Sequence, residues 1–149
     1  MEGSKLPTIR IGGREIPLFY STFEMIEIQK ELKCTAFQLN VTVFGIEKDE
    51  EDDDAPVRFT VITDAEKQAK LGTLIRIQGN AGLEESGQEA DLTAKWVLRR
   101  MKPTLIMGYA LAAMAEINEG NRIEQTGTEN QGPVDELLEE QQAKKQPGN

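Results

Sequence analysis

The chain has 149 residues, 38% of them hydrophobic and 29% charged, and 26 acidic against 17 basic residues leave a formal charge of −9. That length fits one domain with a real core, while the charge repels phosphate backbones and anionic membranes, so neither nucleic acid nor membrane is expected as a partner. There is no histidine and one cysteine, Cys34, which excludes an intrachain disulfide, the Ser-His and Cys-His nucleophile pairs and the commonest metal ligand.

Met1-Glu2-Gly3-Ser4-Lys5 has no apolar core behind it, and the longest charge-free apolar run, Leu105 to Ala115, is about half the ~20 residues of a bilayer span. The cytoplasm is the expected compartment. Residues 8–18 read as a β-hairpin: Ile9 and Ile11 alternate with polar neighbours, Gly12-Gly13 supplies the turn, and Ile16 and Leu18 resume the alternation. Pro17 cannot donate to a ladder and places the second strand at an edge.

Ser21-Thr22-Phe23-Glu24 has the pattern of a capping box, with Tyr20 and Met25 spaced as a hydrophobic staple. The helix it opens carries Met25, Ile28 and Leu32 as one apolar stripe. Residues 35–46 fit two readings. Thr35 is placed to cap a helix bearing Phe37, Leu39 and Val41, whereas Val41 to Phe44 has the β-branched content of a strand. Glu47 to Asp54 is an acidic loop that self-repulsion extends, and it lacks the glycine and glutamate positions of a calcium loop.

Val57, Phe59 and Val61 alternate as a short strand, and Thr63-Asp64-Ala65-Glu66 reads as a second capping box. The following helix buries Leu71, Leu74 and Ile75, and Gly79-Asn80-Ala81-Gly82 is expected to stop it. Asp91 is placed to cap a third helix, with Ala94, Val97, Leu98 and Met101 on one face. Lys95, Arg99 and Lys102 align on another, with Arg100 beside them. Pro103 ends that helix and starts the last, about Pro103 to Glu119, which has no charge from Thr104 through Ala115. A helix apolar nearly all round is expected at the centre of a bundle, with Gly108, Ala112 and Ala115 allowing close approach. The polar stretch 122–149 is expected to form a flexible tail with a short helix at 134–145.

The fold class expected is therefore mainly α with a small N-terminal β-hairpin (α+β), a bundle of four to five helices. It comprises a single domain over 1–121 containing the acidic loop 47–56, followed by the tail. No phosphate loop, dinucleotide fingerprint, zinc pattern or nucleophile elbow occurs, so neither enzyme activity nor a cofactor is expected. The candidate protein-binding residues are Trp96 and Arg99, of types that dominate interfaces, and Leu105, Met107, Leu111 and Met114 on the apolar helix. Each has a plainer reading, as core or as a solvated basic face.

Leu74 to Glu85 resembles the tail assembly chaperones of long-tailed bacteriophages and prophages of Gram-positive bacteria. So do Asp91 to Pro103 and the stretch Ala113 to Arg122, and the hairpin followed by Tyr20-Ser21-Thr22-Phe23-Glu24 is similar too. The resemblance covers roughly residues 8–124. It implies a mostly helical protein that coats the tape measure protein, keeps it soluble, helps recruit tail tube subunits, works in the host bacterial cytoplasm and is absent from the finished virion. It favours a helix for residues 35–44, and family members often come in two lengths, the longer made by frameshifting; the codons of Ala143-Lys144-Lys145 are where the gene would be read for a slippery A-rich run. A homo-oligomer is a further expectation. The runner-up is a structural tail or head-completion protein retained in the virion, and a third reading is an enzyme subunit or metal-binding regulator.

Overall fold

Gly12 and Gly13 adopt φ of +59° and +79°, the left-handed pair that a two-residue turn needs to match the twist of its flanking strands. They join β1 (Thr8–Ile11) to β2 (Arg14–Pro17) in an antiparallel ribbon with Ile9 opposite Ile16 and Arg10 opposite Glu15. Ile11, Ile16 and Leu18 are fully buried, so the ribbon lays one face on the core. The computed structural model describes residues 6–48 and 51–122. Asp49 and Glu50 of the acidic run, the expected helix at 134–145 and the run Ala143–Lys145 lie outside them.

The expected capping box opens α1 (Thr22–Leu32). The Glu24 carboxylate accepts from both the amide and the hydroxyl of Ser21, while Tyr20 and Met25 flank the cap. Ile28 and Leu32 are buried and Met25 packs against the core, as the stripe required. Lys33 ends the helix in the left-handed conformation. The ambiguous segment is helical. A 3-10 turn at Ala36–Gln38 runs into α2 (Leu39–Thr42), and the chain becomes extended only at β3 (Ile46–Glu47). The β-branched residues lost to a simple physical demand: Leu39, Val43 and Phe44 must all reach the core, which a helical turn allows and an alternating strand does not.

β3 pairs with β4 (Arg58–Phe59), Ile46 opposite Phe59. The strand expected through Val61 stops there, because Thr60–Ile62 coils into a 3-10 turn that buries Val61. Within the intervening acidic segment, residues 51–54 are exposed and Asp52 caps its own turn through the Asp54 amide.

Two caps differ from expectation. Asp64, not Thr63, is the N-cap of α3 (Ala65–Glu85), its carboxylate accepting from the Glu66 and Lys67 amides at 2.9 and 3.1 Å. Thr93, not Asp91, caps α4 (Ala94–Arg100), because Asp91 is held by Arg14 at 2.9 Å.

The larger correction concerns α3, which continues through Gly79-Asn80-Ala81-Gly82 to Glu85. These residues do not stop the helix; they let the hairpin sit on it. A Cβ at Gly82 would lie 2.0 Å from the Pro17 carbonyl oxygen, and one at Gly79 would lie 2.6 Å from Leu92 and 2.9 Å from Ile16. The Phe19 amide donates to the Gln78 carbonyl at 3.0 Å. Asn80 turns inward as well and exchanges hydrogen bonds with the Leu92 backbone. α3 packs against α1, β2, α4, α5 and the 3-10 turn at 60–62, with Leu71, Leu74, Ile75, Ile77 and Leu83 buried. Each such side chain stabilises the fold by about 2 kcal/mol. The centre of the bundle is therefore α3, not the last helix. Pro103 does end α4 and begins a 3-10 turn (Pro103–Leu105) leading into α5 (Ile106–Gly120).

Candidate protein-binding surfaces

α5 lies on the outside of the bundle. Ile106, Tyr109, Ala110, Ala113 and Ile117 face inward, at the i, i+3, i+4 spacing of one helical face. Three polar contacts fix its orientation. The Gln78 side-chain amide donates to the Ala113 carbonyl at 3.2 Å, the Tyr109 hydroxyl donates to the Arg10 carbonyl at 3.3 Å, and the buried Glu116 carboxylate accepts from the Tyr20 amide. Burial holds the Glu116 carboxyl above the ordinary carboxylate range; the Tyr20 amide pulls it back and nearby Glu119 pushes it further up.

With that face committed, the opposite flank turns outward. Gly108, Leu111, Ala115 and Asn118 form the exposed stripe. Leu105 and Leu111 are 48% and 47% exposed. Gly108 was expected to admit a neighbouring helix, but a Cβ there would meet nothing within 4 Å. Met107 and Met114 are half-buried; Met114 leans on the core, while Met107 joins Val57, Phe59 and Ile62 in lining a shallow cleft. The four residues singled out on this helix thus divide into two open leucines and two partly covered methionines.

Trp96 and Arg99 belong to a different place. α4 packs on α3, and the indole of Trp96 has the Arg100 guanidinium 4.9 Å from its centroid and that of Arg14 at 5.7 Å. Trp96 is half-buried and packed against the core, and Arg99 is exposed. The hydrogen bond from Arg14 holds the Asp91 carboxyl below the ordinary range. The candidate set therefore marks two surfaces, an apolar one on α5 and a basic one on α4 beside the hairpin turn.

The exposure of several other apolar residues escaped the sequence reading. Phe23 lies on the outer side of α1, and Phe37 (94% exposed) and Val41 sit an i, i+4 step apart on the 3-10 turn and α2. The i, i+4 spacing of Phe37 and Val41 was the available signal, since it is a helical spacing in a segment that also read as a strand. Val57 and Ile62, beside the Met107 cleft, had none, because alternation assigned Val57 to the inward set. Cys34 is buried, which pushes its thiol up despite nearby Lys70.

Among the described residues no three of His, Cys, Asp and Glu converge as a metal-ligand set, and no helix is long and apolar enough to cross a membrane. No protein-family model, curated protein or solved structure matches the chain.

Proposed function

We propose that the chain is a tail assembly chaperone of a long-tailed phage or prophage, binding the tape measure protein, keeping it soluble and helping to recruit tail tube subunits in the host cytoplasm. The observation that carries this reading is the outer stripe that runs from the 3-10 turn into α5: Leu105 and Leu111 stand half-exposed on a chain of net charge −9. A stripe of apolar helix surface left in water is the kind of surface that a partner polypeptide covers. A protein that must hold an apolar helical client needs that surface, and needs an acidic exterior to keep the complex dispersed. The resemblance of residues 8–124 supplies the identity of the client.

Co-expression with the tape measure protein tests the reading. Leu105→Asp and Leu111→Asp are expected to leave the chaperone folded and to send most of the client to the pellet. Unchanged client solubility with either folded variant sinks the proposal. Recovery of the chain from purified virions by mass spectrometry would favour a retained tail component instead.

A further inference from the structure

We propose that the surface formed by the hairpin turn and α4 binds a carboxylate-rich polypeptide segment, anchored by the Arg100 guanidinium. This surface is distinct from the α5 stripe and does not depend on it. The Arg100 stem rests on the turn, since a Cβ added at Gly12 would stand 2.7 Å from Arg100 Cδ, and its guanidinium stacks over Trp96. The other guanidinium over that ring, Arg14, already has its counter-charge in Asp91 at 2.9 Å. Arg100 has no carboxylate partner among the described residues, and neither do Lys95, Arg99 or Lys102. From Leu92 through Ala115 the chain contains no acidic residue at all. On a strongly acidic protein, four cations thus lie within the eight residues 95–102, and the carboxylate beside them, Asp91, is already engaged by Arg14.

The geometry adds selectivity to the charge. A guanidinium held by a ring and a backbone turn has already lost much of its rotamer freedom, so its planar fork loses less entropy on gripping a carboxylate. A polypeptide fits better than a nucleic acid for two reasons. Two guanidiniums already occupy the indole, which is therefore not a free platform for a base. The acidic remainder of the molecule also repels a polyanion charged at every nucleotide more than one whose carboxylates are interspersed.

The full chain is titrated into a fluorescein-labelled peptide alternating glutamate and serine, with an oligothymidylate as the competing class, and anisotropy is read at low ionic strength. The peptide is expected to bind, and binding should weaken as salt shortens the Debye length to ~10 Å near 0.1 M. Arg99→Glu combined with Lys102→Glu, both solvent-exposed, should lower affinity about tenfold, as should Arg100→Ala where thermal denaturation shows it folded. Lys30→Glu combined with Lys48→Glu makes the same change in net charge elsewhere and should leave affinity within about twofold. The proposal is overturned if the wild type fails to bind the peptide, if the distant pair weakens it equally, or if the oligothymidylate binds more tightly. It is also overturned if sedimentation shows self-association that the Arg99/Lys102 pair abolishes and the peptide does not compete away, since the surface would then belong to a second copy.

Discussion

α3 and α5 exchange the places that their compositions suggest. α3 carries Lys67, Lys70, Arg76, Gln78 and Asn80 and three glycines, yet it is the element around which the rest is packed. α5 has no charge before Glu116, yet keeps one flank in water. The difference lies in what each helix offers its neighbours. α3 offers small residues where another backbone must come close and long side chains whose polar ends reach an edge: Arg76 to Glu31, Lys67 to Asp64. α5 offers grease on every side, and only the side met by α3, the 3-10 turn at 60–62 and the hairpin is covered. Mean polarity does not decide which helix is central; the fit of the surrounding backbone does.

Truncation should separate the two helices most sharply. Leu74→Ala removes a fully buried side chain on α3 and is expected to cost about 3 kcal/mol in chemical denaturation. Leu111→Ala on the outer side of α5 should cost under about 1 kcal/mol. Equal losses would mean that α5 is buried as deeply as α3.

A second contrast uses one substitution with opposite signs. Gly82→Ala places a methyl 2.0 Å from the Pro17 carbonyl and should destabilise by about 2 kcal/mol, the strain outweighing the gain in helix propensity. Gly108→Ala meets no atom within 4 Å and should stabilise by up to about 1 kcal/mol. A stabilised Gly82→Ala would refute the seating of the hairpin on α3.

The smallest effect is electrostatic. Because burial raises the Glu116 carboxyl, the folded state holds its proton more tightly than the unfolded chain does. Stability must then fall as pH rises from the ordinary glutamate value of 4.5 through the higher folded value. Glu116→Gln keeps an acceptor for the Tyr20 amide and removes the charge. Its melting temperature should exceed the wild type's at neutral pH, and the advantage should vanish below about pH 4. An advantage that persists in acid would point to packing in place of ionisation.

These contrasts also mark what the sequence could disclose. Local chemistry was readable where it is self-sufficient. Gly12-Gly13 between alternating isoleucines defines a hairpin without outside help, the Ser21–Glu24 box closes on itself, and Pro103 interrupts any helix. The errors fell where a distant partner decides. Gly82 signals a helix end unless the Pro17 backbone, far away in sequence, fills the space it leaves. Asp91 signals a cap unless Arg14 takes its carboxylate, after which Thr93 serves. The candidate surface divides the same way. The absence of charge from Thr104 to Ala115 was plain, but which flank stays open depends on Tyr109 reaching Arg10 and Gln78 reaching Ala113. The stacking of Arg100 on Trp96 was visible only as two residues of the right kinds.

The contact between Pro17 and Gly82 has a consequence in time. The ribbon leaves the ribosome well before the helix that seats it, so Ile11, Ile16 and Leu18 have no permanent cover until α3 has been synthesised. Closing so long a loop early is entropically unfavourable. A newborn chain of this protein therefore passes through an interval in which the apolar face of its ribbon stands without shelter.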